Sequence, residues 1–263
     1  MHSVKRVVVK VGTSTLTHET GRLNLCRIEK LVRCISDLKN RGYDIVLVSS
    51  GAIGVGLGQL GISERPHSTK EKQAVAAIGQ CELMFIYSKI FDEYGLNVAQ
   101  ILLTKDVITD IERKENVLNT FEQLFQYNSV IPIVNENDTV SVEEIEFGDN
   151  DTMSAVVAKL IGAELLILLS DIDGLYDSDP HKNPNATLIP EVDKIDDSVK
   201  ALAGGAGSAR GTGGMVTKLM AAEIATAAGC DMILANGKSP EILYDIFDNS
   251  YRGTLFKKQI NKE

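Results

Sequence analysis

TMSAVVAKLIGAELLILLSDIDG, residues 152–174, holds the pattern that decides the fold. Residues 152–163 read as a helix. Residues 164–170, ELLILLS, form an apolar run too short for a second helix. A strand that is apolar at nearly every position is buried on both faces, as in a parallel sheet covered by helices on either side. The following DIDG carries an Asp-Gly turn signal.

The same rhythm recurs along the chain. RVVVKV (6–11) is a β-branched run ended by Gly12. NLCRIEKLVRCISDLKNRG (24–42) places Ile28, Leu31, Val32 and Ile35 at helical spacing, with Asn24 as N-cap and Gly42 as stop. Further strands are expected at 44–50, 98–104, 130 onward and 230–237. Helices are expected within 71–94, around Val117, Phe121, Leu124 and Phe125, over 218–228 with Met220, Ile224 and Ala227 on the buried face, and after Ser239-Pro240. TVSVEEIEFGDND (139–151) alternates like a small hairpin, and residues 177–200 read as a surface excursion. Alternating strands and helices predict an α/β fold with a mainly parallel sheet, and nothing divides the 263 residues into two parts.

Composition narrows the function classes. The 27 basic and 36 acidic residues give a net charge of −9, which argues against a nucleic-acid-binding surface. LLILL (165–169) is far too short to span a membrane, and MHSVKRVVVKVG reads as a first strand rather than a signal peptide. Cys26, Cys34, Cys81 and Cys230 have no CxxC spacing and are expected as reduced core residues, which suits the cytoplasm. His2, His18, His67 and His181 are scattered without metal-ligand spacing.

In parallel α/β sheets, ligands gather at the carboxyl ends of the strands. The segments just past the strand ends are KVGTST, SSGAIGVGLG, NENDTV, SDIDGLYDSDP and ANGKSP, and the chemistry-bearing stretches are the first four of these and two more, FGDND and GTGGMVTKLMAAEIA. VVVKVGTSTL places Lys10 at a strand end, where an ammonium is costly unless it meets an anion. SSGAIGVGLGQLG offers Ser50, Gly51 and backbone amides to an anion. VNENDTV and FGDND crowd Asn135, Asn137, Asp138, Asp149, Asn150 and Asp151 into two loops. These six could bind a metal, recognise an amino acid with Asp138 facing its ammonium and Asn150 its carboxylate or amine, or use Asp151 to position lysines. Helix capping accounts for only part of them. SDIDGLYDSDP offers Ser170 and Asp171 to a nucleotide. In GTGGMVTKLMAAEIA (211–225), Lys218 sits in the first turn of a helix, unfavourable for a cation unless an anion shares that end. Lys10 and Lys218 could bracket a transferring phosphoryl group, chemistry that depends on positioning and charge neutralisation.

Together SSGAIGVGLGQLG, VNENDTV, FGDND, SDIDGLYDSDP and GTGGMVTKLMAAEIA resemble the glutamate 5-kinases of the amino-acid kinase family, in the family's order and over essentially the whole chain. The resemblance implies one three-layer αβα domain over residues 1–263 with a mainly parallel central sheet. It implies ATP-dependent phosphorylation of the γ-carboxylate of L-glutamate, the first step of proline synthesis. Carried over by motif, Lys10 and Lys218 stabilise the moving phosphoryl group and Asp151 orients them. Ser50, Gly51, Asn135, Asp138 and Asn150 bind glutamate. Lys10, Ser170, Asp171, Thr212, Gly213, Gly214, Met215, Val216, Thr217 and Lys218 bind ATP. Mg2+ is held through the ATP phosphates, with no direct protein ligand. The resemblance also implies L-proline as feedback inhibitor, a homo-oligomer (dimer or tetramer), functional coupling to glutamate-5-semialdehyde dehydrogenase, a cytoplasmic location, and no nucleic-acid or membrane partner. Many bacterial members continue into a PUA domain, which is not expected in this chain.

Three competing readings fare worse. Family members acting on other carboxylates or phosphates usually carry His-Gly-Gly-Gly or Gly-Asn-Gly segments in place of SSGAIG. A catalytically silent amino-acid-binding regulator could dispense with Lys10, Asp151 or Lys218, and all three are present. A nicotinamide-dependent dehydrogenase needs GxGxxG after its first strand, which KVGTSTLTHE lacks.

Overall fold

The computed structural model describes residues 4–18, 20–64, 66–140, 149–180, 182–204 and 214–259. In chain order the elements begin with β1 (Arg6–Val11), α1 (Thr13–Leu16), α2 (Leu25–Asn40), β2 (Asp44–Ser49), α3 (Ala52–Leu60) and α4 (Thr69–Asp92). Then come β3 (Asn97–Leu103), α5 (Asp106–Thr109), α6 (Ile111–Gln126), β4 (Val130–Glu136), α7 (Asn150–Ile161) and β5 (Leu165–Ser170). The last are β6 (Glu191–Val192), α8 (Asp197–Gly204), α9 (Met215–Ala227), β7 (Asp231–Asn236), α10 (Ile242–Phe247) and β8 (Gly253–Phe256).

Among the described residues one eight-stranded sheet runs in the order β3-β4-β2-β1-β5-β7-β8-β6. Every neighbouring pair is parallel except β7 with β8. From β1 the chain crosses to β2 on one side, and β5 later joins β1 on the other. The carboxyl ends of β1 and β5 therefore flank a topological switch point, the position at which open α/β sheets bind ligands.

Side chains alternate between the two faces of the sheet. Val7, Val9, Val11, Leu47, Ile133, Ile167 and Leu169 pack with α2, α4 and α10. Val8, Val46, Val48, Val134, Leu166 and Leu168 pack with α6, α7 and α9. Parity then fixes the site: Lys10 shares the face of Val8 and points toward the layer of α7 and α9, whereas Asn135 shares the face of Ile133 and points toward α4.

The expected strands and helices form close to their predicted bounds. Asn24 caps α2 by accepting from the Arg27 amide. The 177–200 excursion contributes the short β6, and the antiparallel β8 was not foreseen. The predicted hairpin falls largely on residues 141–148, outside the described residues. Two expectations are corrected. Met220 is 48% exposed and Ala227 is exposed, while Lys218, Leu219, Ala221, Ala222, Ala225 and Thr226 are buried. Small residues turn inward because α9 lies close against α7 and Lys218 reaches an inner partner. Cys34 and Cys230 are core residues as expected, but Cys26 and Cys81 are exposed, on the outer faces of α2 and α4.

The 24-residue α4 is long and apolar enough to cross a membrane by length and composition. It is nonetheless integrated into the fold. A capping box of Ser68 and Glu71 starts it, and Val75, Ala76, Gly79, Leu83, Tyr87 and Phe91 are buried. Its contact with α3 is backbone to backbone: a Cβ on Gly79 would stand 1.8 Å from the Ala52 carbonyl oxygen, and one on Gly56 2.1 Å from that of Val75.

That contact decides the sign of a substitution. In an exposed helix interior, Gly→Ala gains about 1 kcal/mol. At Gly79, overpacking against backbone costs about 1–3 kcal/mol and outweighs it. Gly79→Ala is expected to lower the urea midpoint; a raised midpoint would mean that α3 and α4 separate without penalty.

Candidate active site

Two clusters of side chains meet at the carboxyl edge of the sheet. In the first, Lys10 leaves β1 and Lys218 stands in the first turn of α9. Both converge on Asp151 in the first turn of α7. Lys10 Nζ lies 2.6 Å from Asp151 Oδ1, and Lys218 Nζ lies 3.1 Å from Asp151 Oδ2. Exposure is 9% for Lys10, 6% for Lys218 and 2% for Asp151, so the triad is sequestered. Thr217 Oγ1 donates to the Gly214 carbonyl at 2.8 Å and lies 3.5 Å from Asp151 Oδ2.

Burial alone would push the Asp151 carboxyl upward. The ammonium groups of Lys10 and Lys218 overcome that and hold it below its ordinary value of 3.8. Two ammonium groups share that one carboxylate, so positive charge gathers at this corner of the site. Helix N-termini add to it. The Gly51 N-cap of α3 and the Gly214 N-cap of α9 make no side-chain cap bond, so their first-turn amides suit an anion. Gly51 adopts φ 106°, a left-handed conformation that favours glycine. A Cβ at Gly12 would stand 3.6 Å from Lys10 Nζ, inside the space beside that ammonium. These features fit a phosphate.

The second cluster belongs to Ser50, Asn135 and Asn150. Asn150 Nδ2 donates to Ser50 Oγ at 2.9 Å and to Asn135 Oδ1 at 3.0 Å, with the Ser49 carbonyl at 3.4 Å. Asn135 Nδ2 in turn donates to Gln80 Oε1 on α4 at 2.8 Å. Asp149 is the N-cap of α7: its Oδ1 accepts from the Thr152 amide, while its Oδ2 is buried without a hydrogen-bond partner among the described residues. Asp138 lies in the turn after β4, half-buried and engaged in its own interactions.

Ser170 and Asp171 bond to each other at 3.0 Å at the end of β5, which pairs directly with β1. Gly214 caps α9, which begins at Met215, three residues before the expected start at Lys218, so Lys218 lies in its first turn as expected, with Val216 52% exposed. Thr212 and Gly213 lie outside the described residues. Among the described residues no group of three or more His, Cys, Asp or Glu could hold a metal ion. The sequence reading missed Gln80, which has no motif spacing and meets Asn135 only through the packing of α4. It also missed Asn236, which donates to Asp173 Oδ1 at 2.8 Å beside the Asp173–Arg252 ion pair.

The sequence profile of the amino acid kinase family matches residues 5–236. The glutamate 5-kinase of Clostridium perfringens is 58% identical over 256 residues, covering 96% of this chain and 95% of that protein. That of Clostridium acetobutylicum is 56% identical over 256 residues, covering 97% and 96%. Among solved structures, carbamate kinase from Giardia lamblia bound to AMP-PNP superposes with a TM-score of 0.67 at 18% identity, covering 98% of this chain and 100% of that one. At that identity the likeness extends to the fold.

Removing one partner from a buried ion cluster leaves uncompensated charge, which costs about 3–5 kcal/mol. Asp151→Asn is expected to lose that much unfolding free energy at pH 7. Because the folded carboxyl is depressed, its contribution is complete above 3.8 and disappears as pH falls through the lower folded value. The gap between wild type and variant should therefore narrow as pH falls below 3.8. Urea titrations at pH 7 and pH 3 check both points; a gap that persists unchanged at pH 3 would assign the loss to packing.

Proposed function

The chain belongs to the amino acid kinase family, and on that premise we propose that it transfers the γ-phosphoryl group of ATP to the γ-carboxylate of L-glutamate, giving L-glutamyl 5-phosphate, the first step of proline biosynthesis. One observation carries this reading. Asn150 and Asp151 are consecutive at the start of α7, so a single helix turn joins an acceptor-type amide cluster to a cationic phosphate-type cluster.

The chemistry needs little covalent help. A glutamate side-chain carboxylate is already ionised at neutral pH, with an ordinary pKa of about 4.3, so no general base is required. A carboxylate oxygen attacks the γ-phosphorus, and the bond to the β–γ bridging oxygen breaks with its electron pair leaving on ADP. Asp151, held ionised between two ammonium groups, is suited to organising them rather than to accepting a proton. Lys10 and Lys218 neutralise charge on the moving phosphoryl group and the leaving oxygen. Gly12 and the amides at the start of α9 take phosphate oxygens. Ser170, Asp171, Thr212, Gly213, Gly214, Met215, Val216 and Thr217 complete the ATP side. Mg2+ would be held mainly through the ATP phosphates and would supply further neutralisation of their charge.

On the acceptor side, the Nδ2 protons of Asn150 are committed to Ser50 and Asn135. Its Oδ1 is left to accept from the substrate ammonium, which Asp138 faces as counter-ion. The orphan Asp149 Oδ2 adds a buried acceptor in the same turn. Ser50, having accepted from Asn150, keeps its hydroxyl proton for a substrate carboxylate, beside Gly51. L-Proline carries the same ammonium and carboxylate and competes for this site. Two further partners follow from the reading. The acyl phosphate is labile in water, which favours hand-over to a reducing enzyme such as glutamate-5-semialdehyde dehydrogenase. Ile78 and Phe85 on α4, 42% and 60% exposed, favour a homo-oligomer. Four free thiols suit the reducing cytoplasm.

A hydroxylamine trap tests acceptor and inhibitor together. With ATP and Mg2+, hydroxamate is expected from glutamate but not from aspartate, acetylglutamate or carbamate. Millimolar proline should raise the glutamate KM without changing kcat. Absence of glutamate hydroxamate would remove the proposed activity, and a proline-insensitive rate at sub-saturating glutamate would remove the competition.

Lys218→Ala separates catalysis from binding. The Lys10–Asp151 pair remains, so the fold is expected to survive. A contact made mainly in the transition state lowers kcat by about 10²–10³ with little change in KM. Lys218→Arg should restore only part, because a planar fork does not replace a compact ammonium. Near-normal kcat with a raised ATP KM would make Lys218 a ground-state anchor instead.

A further inference from the structure

We propose that Gln80 is a positioning residue of the acceptor site: from α4, it sets the hydrogen-bond polarity of Asn135, and through Asn135 that of Asn150. The inference rests on the acceptor reading above and adds a residue outside every site motif in the sequence.

The argument is a count of donors and acceptors. A side-chain amide has one acceptor oxygen and one NH2 group, and reversing it exchanges them. Gln80 Oε1 accepts from Asn135 Nδ2 at 2.8 Å. That fixes Asn135 with Oδ1 toward Asn150, where it accepts from Asn150 Nδ2 at 3.0 Å. Asn150 Nδ2 also donates to Ser50 Oγ at 2.9 Å; a hydroxyl can donate or accept, so that contact follows the polarity set through Asn135. Three amides in series thus share one polarity. Without an acceptor at position 80, Asn135 Nδ2 would gain nothing by facing α4, and its reversal would set two donors against each other at Asn150. Asn135 is only 3% exposed, so water cannot readily replace the missing partner.

The backbone holds Gln80 rigidly in this role. Gly79, its neighbour, is pressed against the Ala52 carbonyl, which fixes the height of α4 over the start of α3. Two turns on, at i+7, Tyr87 is fully buried and shares a 3.0 Å hydrogen bond with Ser49 Oγ at the end of β2. The same face of α4 therefore lays Gln80 on the end of β4 and Tyr87 on the end of β2. Both contacts lie on the α4 side of the sheet, as strand parity requires.

The test is steady-state kinetics on Gln80→Met, which keeps length and removes the acceptor. The acceptor KM should rise about tenfold, the scale of one lost hydrogen bond in a buried amide pair, with kcat and the ATP KM changed by less than about threefold. Gln80→Asn, which keeps an amide but withdraws it by one methylene, should give the same split and guards against a folding defect in the apolar variant. If Gln80 acts through Asn135, adding Gln80→Met to Asn135→Ala should raise the KM no further. An unchanged acceptor KM, multiplying effects in the double variant, or equal losses in both KM values and kcat would each overturn the proposal. Wild-type hydroxamate formation tests the acceptor's identity separately; if another carboxylate is the acceptor, the same split is read on it.

Discussion

The carboxylate of Asp151, 2.6 Å from one buried ammonium and 3.1 Å from another, is the constraint on which the site depends. Each charge alone would be costly to bury. Together they stabilise one another beside the carboxyl ends of β1 and β5. The arrangement ties three distant elements together: β1 supplies one lysine, α9 the other, and the first turn of α7 the carboxylate. The inward rotation of α9, with alanines against α7 and Met220 outside, brings Lys218 within reach.

The helix start that holds Asp151 also carries Asn150. Asn150 faces Ser50 and Asn135, so charge neutralisation and acceptor recognition are set by one backbone turn. A displacement of α7 would disturb both at once. This coupling suits phosphoryl transfer between two bound substrates, where the protein's main contribution is relative position. On the opposite face, α4 reaches the same strand ends through Gln80 and Tyr87. Its glycine contacts with α3 fix the height from which it does so.

Much of this was legible in the sequence. ELLILLS and its counterparts announce strands buried on both faces, and the helices between them require parallel crossovers. The rule that ligands collect at carboxyl ends then singles out Lys10, Ser50, Asn135, Asp151 and Ser170 before any contact is known. Motif resemblance carried the family, and the helix opened by the glycine-rich segment begins where its lysine needed it. These features depend on local composition and on a period of two or of 3.6, which a chain declares by itself.

Only the tertiary structure decided which of these residues meet. Lys218 and Asp151 are 67 residues apart and Gln80 and Asn135 are 55 apart, separations to which no local period applies. The buried face of α9 was misread because large apolar residues suggested an inward side, whereas the close approach to α7 admits only small ones there. The antiparallel β8 was invisible because its pairing with β7 depends on the chain's return and not on its own four residues. Sequence by itself determined the layers and the edge at which chemistry sits; packing across the sheet, through parity, helix rotation and glycine contacts, decided the partners of each charged and amide group.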